Sequence, residues 1–237
     1  MADDITYTWQ NARVLWADIP VDTGAARAVL PPGLALADPP TATVFVADYP
    51  FTTFGSVYRE AAVLLHGIDD QGPYVHCPWM VVDDDTALIL GREMLGFPKK
   101  MAEIALEVDG DHVVGTVVRK GVELIRVEGT VDVGDDTPPA LFDRRFVNLF
   151  GSIVNGMSLI ELAPSGERFH ECRRGDGKVL LGTSDRDALG SLAPATEATL
   201  RLATLDFAGG GSATQPRVVS GVTDDAWAFA RFFARLM

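Results

Sequence analysis

The fold is clearest in MAEIALEVDGDHVVGTVVRKGVELIRVEGTVDV, residues 101–133. Three runs rich in β-branched residues are separated there by Asp109-Gly110-Asp111 and by Lys120-Gly121. Glycine at such a tip is typical of a β-hairpin, because it adopts the positive φ that a tight turn needs. The pattern therefore predicts a meander of three strands, over 101–108, 112–119 and 122–133.

Further runs of β-forming residues lie on both sides of this meander and are short enough to be strands. They span 41–48, 57–65, 74–82, 167–172, 178–181 and 198–207. Many strands joined by short turns predict a mainly antiparallel sheet that closes into a barrel or sandwich. With no repeat and no convincing linker in the sequence, we expect a single domain over residues 1–237.

Few helices are expected. The first spans 22–30 and is stopped by Pro31-Pro32, and the second spans 86–95, with Gly96 suited to its C-cap. Thr223 is the expected N-cap of a third helix near the C-terminus. One apolar stripe on that helix, made of Phe229, Phe232, Phe233 and Leu236, is expected to cover the sheet or an oligomer interface.

The composition excludes several classes of function. A net charge of −13 disfavours nucleic acid as a partner, because a polyanion is repelled. No run of 18 apolar residues is present, so no membrane span is predicted. The acidic N-terminus does not resemble a signal peptide, and we expect a cytoplasmic protein. His76-Cys77 and His170-x-Cys172 are interpreted as packed strand residues, since the spacing of a four-ligand zinc site is absent.

The chemistry is indicated by GREMLGFPKK, residues 91–100. Pro98 favours an extended chain after the second helix, so Lys99 and Lys100 are expected to open a strand. Successive side chains on a strand point to opposite faces, so one lysine should face inward and the other outward. Burial disfavours the ammonium form of a lysine and leaves a neutral amine that can attack a carbonyl carbon.

The segment REMLGFPKK, residues 92–100, resembles the signature of the acetoacetate decarboxylase superfamily. The resemblance implies that Lys99 forms a Schiff base with a keto acid, and acetoacetate decarboxylase is itself a known example of an activated lysine. It also implies a cone- or barrel-like α+β fold and a homo-oligomer. No metal or organic cofactor is expected, because the covalent Schiff base carries the chemistry.

The resemblance extends to other candidate site residues. Glu60 and Tyr58 lie in a segment similar to the family's Gly-x-Tyr-x-Glu segment, which implies that Glu60 is catalytic and moves protons. Substrate-binding roles are expected for three residues: Arg13, which would hold a carboxylate, Tyr58 and Phe97. Lys100, Arg92 and Glu93 are expected to tune or anchor the reactive lysine rather than to react.

One departure from the family keeps three functions open. The family's decarboxylases carry a second glutamate where this chain has Val44 or Phe45. The first hypothesis is a lyase that decarboxylates acetoacetate or another β-keto acid. The second is an aldolase or dehydratase that acts on a pyruvate-like keto acid without decarboxylation, and the missing glutamate favours it. The third is a non-enzymatic binding protein that kept the fold.

Overall fold

A computed structural model describes residues 6–152, 154–164, 166–193, 195–210, 216–221 and 225–236. The strands are β1 (Thr6–Pro20), β2 (Thr41–Tyr49), β3 (Phe51–Thr52), β4 (Tyr58–Asp69), β5 (Gly72–Val82), β6 (Lys99–Met101), β7 (Glu103–Asp109), β8 (His112–Arg119), β9 (Val122–Thr130), β10 (Val133–Gly134), β11 (Phe146–Ser152), β12 (Gly156–Leu162), β13 (Glu167–Leu181), β14 (Ala195–Gly210) and β15 (Arg217–Gly221). The helices are α1 (Thr23–Val29), α2 (Asp85–Leu95) and α3 (Asp225–Leu236).

These strands form one sheet, with the order β15-β12-β11-β5-β4-β2-β1-β14-β13-β9-β8-β7. Its neighbours are antiparallel apart from β11, which pairs with β5 in parallel, and β6 lies parallel to β5 on a side branch. The sheet curls so far that β7 packs across β2 and β4. Its edge strands among the described residues, β15 and β7, are not hydrogen-bonded to each other. The mainly antiparallel class with few helices is confirmed, and the barrel-like sheet is open rather than closed.

The predicted meander is present as β7, β8 and β9. Its two tips carry positive φ values, 60° at Gly110 and 51° and 78° at Lys120 and Gly121. The third strand ends at Thr130 rather than at residue 133, and the short β10 then pairs with β13 instead of continuing the meander. The turn residues therefore placed the hairpins correctly.

The helices begin and end close to the predicted residues. The side chains of Asp22 and Asp84 accept hydrogen bonds from the backbone N–H of Ala25 and Ala87, each over 2.8 Å, and so cap α1 and α2. Gly96 ends α2 in the left-handed conformation at φ 68°. For α3, the predicted cap Thr223 and the side chains of Phe232, Phe233 and Leu236 lie outside the described residues.

The central strands are buried on both faces, because hydrophobic residues cover each side of the curled sheet. The meander-side core contains Leu15, Val46, Val63, Val81, Val117 and Leu124 among others. The cavity-side core contains Trp16, Phe45, Ala62, Met80, Phe142 and Leu205 among others. Neighbouring residues of one strand thus enter different cores, as the two-residue period of a strand requires. None of the described helices is long and apolar enough to cross a membrane.

Candidate active site

The turn after α2 delivers the two lysines to the sheet. The N–H of Phe97 donates to the carbonyl of Gly91 over 3.0 Å, and the N–H of Lys99 donates to the carbonyl of Phe97 over 2.8 Å. In the parallel ladder of β6 with β5, Lys99 lies opposite Met80 and Lys100 opposite Val81. Lys99 therefore enters the cavity-side core, while Lys100 enters the meander-side core.

Lys99 lies beside Glu60 in the interior of the protein. Both residues are only 6% exposed, and Nζ of Lys99 is 2.6 Å from Oε2 of Glu60. The contact is an ion pair by distance, but Oε2 has no donor in hydrogen-bond geometry. Nζ also lies 5.4 Å from the ring centre of Tyr58. A buried amine thus faces one carboxylate and one aromatic ring, which is the contact expected of a proton-exchanging pair.

The expectation that the second lysine points outward to solvent is wrong. Lys100 is 8% exposed, and its Nζ donates to Oδ1 of Asp187 over 2.7 Å. Burial lowers the pKa of Lys100, and this effect outweighs the Asp187 carboxylate, which raises it. The two lysines do point to opposite faces, but the curled sheet buries the second face as well. Lys100 therefore belongs to a buried polar cluster behind the site, where Asp187 also accepts from Arg119 and Trp79.

A cavity of about 110 Å³ opens beside the Lys99 amine. Its polar side chains among the described residues are Lys99, Glu60, Tyr49, Tyr58 and Trp9. The rest of the described lining is apolar: Phe45, Met80, Leu95, Phe97, Phe142, Phe146, Leu162, Ala163, Phe207, Ala208 and Gly209. A concave apolar site with a few converging polar groups is typical of a small-molecule site.

Two tyrosines complete the polar end of the cavity. Nε1 of Trp9 donates to the hydroxyl of Tyr58 over 2.9 Å, and the hydroxyl of Tyr49 lies 3.4 Å from Oε1 of Glu60. Burial raises the pKa of both phenols well above its usual value, and the negative charge of Glu60 raises it further. Both hydroxyls therefore remain protonated at neutral pH and can donate hydrogen bonds.

The structure brings some of the predicted site residues together and leaves others apart. Tyr58, Glu60, Phe97 and Lys99 line the cavity, although they come from two strands, β4 and β6, and the loop that precedes β6. Arg13 does not reach it. Its side chain is 48% exposed and pairs with Asp48, which lies opposite it on β2. In β1, Arg13 lies between Ala12 and Val14 of the cavity-side core, so it points to the other face.

The anchoring role expected of two α2 side chains, Arg92 and Glu93, stays a prediction. Arg92 is half-buried and Glu93 is exposed, and neither side chain lines the cavity. Among the described residues, no group of three or more His, Cys, Asp and Glu side chains is placed to hold a metal ion. His76 and Cys77 are buried, and Nδ1 of His76 lies 2.8 Å from the carbonyl oxygen of Val147.

Several residues that shape the site are not among those predicted from the sequence. Gly91 lies in α2, and a Cβ there would stand 2.4 Å from Cε of Lys99, so a larger residue would force the end of the lysine side chain to shift. Phe45, Phe142 and Phe207 come from distant parts of the chain and meet only in the folded protein. A glycine inside an amphipathic helix next to the lysine pair was the one available hint, because it costs about 1 kcal/mol relative to alanine.

Comparison with known proteins decides the family. The family model described as acetoacetate decarboxylase (ADC) matches residues 2–214. The chain belongs to the acetoacetate decarboxylase family. One relative, an acetoacetate decarboxylase of Burkholderia vietnamiensis, is 35% identical over 97 residues, which are 40% of this chain and 39% of that protein. The matched stretch thus spans about two fifths of the length of this curated relative.

Two solved structures share the fold of this chain. The crystal structure of acetoacetate decarboxylase from Legionella pneumophila superposes with a TM-score of 0.77 at 16% identity, covering 92% of this chain and 88% of that one. The enduracididine biosynthesis enzyme MppR, complexed with the condensation product of pyruvate and imidazole 4-carboxaldehyde, gives a TM-score of 0.77 at 24% identity, covering 91% and 88%. At these identities the likeness concerns the fold.

Proposed function

We propose that this protein is a lyase that forms a Schiff base between Lys99 and a small keto acid. The observation that carries the proposal is the Lys99 amine, 6% exposed and 2.6 Å from the Glu60 carboxylate, at the end of an apolar cavity. Membership in the acetoacetate decarboxylase family supports it. The mechanism needs no organic cofactor beyond the lysine itself.

Glu60 is the group that manages protons in the first step. When the ammonium of Lys99 passes a proton to Glu60, the freed nitrogen lone pair attacks the carbonyl carbon and forms a C–N bond. The carbonyl oxygen takes one proton from that nitrogen and one from Glu60, and the C–O bond breaks to release water. The product is a protonated imine beside a carboxylate, so the pair again carries opposite charges.

The protonated imine then serves as an electron sink for the neighbouring carbon. In a β-keto acid, the bond to the carboxylate breaks, carbon dioxide leaves, and the electron pair forms an enamine. Glu60 takes up one proton from the solvent and passes it to that carbon. Water then adds to the imine carbon, the C–N bond breaks, and the ketone leaves Lys99 as an ammonium. The apolar lining favours this step, because burying an unpaired carboxylate is costly and carbon dioxide is neutral.

A second candidate is an aldolase or dehydratase that acts on a pyruvate-like keto acid. Phe45 supports it, because this side chain lines the cavity where the family's decarboxylases are expected to carry a second glutamate. The fold of MppR, whose complex contains a condensation product of pyruvate and an aldehyde, gives further support. In this reaction Glu60 removes a proton from the carbon next to the imine, and the resulting enamine carbon attacks an aldehyde and forms a C–C bond. The aldehyde oxygen takes up the proton from Glu60, and no gas is released.

Reduction with borohydride tests the shared step. The protein is incubated with acetoacetate, and separately with pyruvate, then reduced, and the modified lysine is located by peptide mass mapping. We expect an adduct on Lys99, its loss in Lys99→Arg, and its retention in Lys178→Arg, which alters an exposed lysine. Carbon dioxide release from acetoacetate supports the decarboxylase, and turnover of pyruvate with an aldehyde supports the aldolase. Absence of any adduct contradicts both and leaves the binding protein.

A further inference from the structure

We propose that the carbonyl compound bound to Lys99 carries an uncharged, hydrophobic group about the size of a phenyl ring, rather than a second charged group. This inference rests on the proposed function, since it concerns the substrate of the same lysine. It goes further by naming the chemistry of the part of the substrate that does not react. Three features of the cavity carry it: its aromatic wall, its size and its distribution of charge.

The wall of the cavity is an assembled set of aromatic rings. The ring centres of Phe142 and Phe207 lie 4.3 Å apart, and Trp9 stacks on Phe207 at 4.7 Å with an interplanar angle of 8°. Phe45 meets Phe142 edge to face at 5.6 Å. Rings that already pack on one another form a rigid apolar surface, and such a surface binds a flat hydrophobic group at little cost in ordering.

The cavity has the volume of a small hydrophobic group. Its volume is about 110 Å³, whereas an engineered apolar cavity of about 150 Å³ in another protein binds benzene. The smaller volume limits the bound group to one ring or a short branched chain, and a ring requires the lining to widen slightly beside the half-buried Ala163 and Ala208. A lining of small residues at these two positions keeps this space available.

The charges of the cavity provide no partner for a second anionic group. Within the described lining, Lys99 is the cation, and the Schiff base uses its nitrogen. Its neighbour Glu60 is acidic and would repel another carboxylate. Arg13, the residue expected to hold a carboxylate, pairs with Asp48 on the opposite face of the sheet. An unpaired carboxylate among these rings would lose its hydration without compensation, so a neutral group is favoured there.

Three methyl ketones with the same reacting group test the inference. Butan-2-one, 4-phenylbutan-2-one and 4-oxopentanoate share the CH₃–CO–CH₂ unit and differ in ending with a methyl, a phenyl or a carboxylate group. Each is added to the intact protein, and the imine at Lys99 is reduced with cyanoborohydride, which delivers hydride to the imine carbon. The second-order rate of Lys99 modification is measured by mass spectrometry and divided by the rate for a free lysine derivative.

We expect 4-phenylbutan-2-one to modify Lys99 about 10 to 100 times faster than butan-2-one, as burial of a phenyl ring predicts. The rate for 4-oxopentanoate should not exceed that for butan-2-one. If 4-oxopentanoate reacts fastest, or all three react alike, the inference is overturned while the proposed Schiff base stands. If no ketone modifies Lys99, the proposed function itself fails, and the inference fails with it.

A variant pair separates binding in the cavity from general effects of added bulk. Ala163→Phe places a ring in the cavity lining, and Ala140→Phe places the same ring at an exposed position outside it. The ratio of the rates for 4-phenylbutan-2-one and butan-2-one should fall about 10-fold in Ala163→Phe and stay unchanged in Ala140→Phe. Equal ratios in the two variants would contradict binding of the phenyl group beside Lys99.

Discussion

The side chain of Lys99 lies directly against the backbone of Gly91, eight residues earlier in the chain and within α2. A Cβ at Gly91 would stand 2.4 Å from Cε, 2.6 Å from Cδ and 3.0 Å from Nζ of Lys99. These atoms form the flexible end of the lysine side chain, so an alanine at position 91 would force that end to shift from its present place. The glycine therefore sets the position of the amine relative to Glu60.

We expect Gly91→Ala to displace the Lys99 amine and to slow imine formation at Lys99 by about 10-fold or more, because small errors of position at a reacting group are costly. Helix propensity favours alanine by about 1 kcal/mol, so the loss of reactivity should exceed any loss of stability. Borohydride trapping and thermal unfolding measure the two effects. Gly134→Ala is the control, since nothing lies within 4 Å of the added Cβ. Equal trapping rates in both variants would contradict the steric role of Gly91.

Asp187 should support stability rather than reaction chemistry. Its carboxylate contacts Lys100 and Arg119, each at 2.7 Å, and its side chain is 1% exposed. Asp187→Ala removes the carboxylate and leaves the buried ammonium of Lys100 without it, so we expect a loss of about 3–5 kcal/mol in the free energy of unfolding. Urea denaturation measures this loss. Asp185→Ala, at an exposed position, should change the value by less than about 0.5 kcal/mol.

The hydroxyl of Tyr58 should act as a hydrogen-bond donor in the cavity. Its oxygen already accepts from Nε1 of Trp9, and burial keeps the phenol protonated by raising its pKa. We expect Tyr58→Phe to lower kcat about 10-fold with a smaller change in KM. The reason is that the variant loses a hydrogen bond that becomes stronger in the transition state. Tyr74→Phe removes a hydroxyl that donates to the carbonyl of Ala35 at a different core cluster. That control should lose stability but not kcat.

His66 should make stability depend on pH. Nε2 of His66 lies 3.1 Å from Nη1 of Arg144, 2.7 Å from the hydroxyl of Thr43 and 3.7 Å from Oδ1 of Asp18. Nδ1 of His66 lies 3.0 Å from the hydroxyl of Thr41. Burial lowers the pKa of His66, and the charge of Arg144 lowers it further, against the pull of Asp18.

Because the folded pKa of His66 lies below the unfolded value of about 6.5, the unfolded chain binds the proton first as the pH falls. The free energy of unfolding should therefore decrease as the pH falls from about 6.5 to the lower pKa of His66 in the folded protein. His66→Gln should flatten the curve in that window, as measured by urea denaturation at a series of pH values. Parallel curves for the two proteins would show that His66 does not contribute.

The relation of Lys99 to Lys100 separates what could be predicted from what could not. The two-residue period of a strand placed the two side chains on opposite faces, and both cores bear this out. That period gives no information on whether the second face meets water. Lys100 is buried because the sheet curls and brings Asp187, 87 residues further along the chain, against it.

The same distinction applies to the cavity. The pattern of local residues determined the meander with its glycine tips, the capped helices α1 and α2, and the strand that begins at Lys99, because turns, caps and strand periods depend on neighbours in the chain. Contacts between distant segments of the folded chain bring Glu60 to Lys99 and turn Arg13 away to Asp48. They also join Phe45, Phe142 and Phe207 into one wall. These contacts join distant segments, and the curvature and register of the whole sheet set them rather than any local preference.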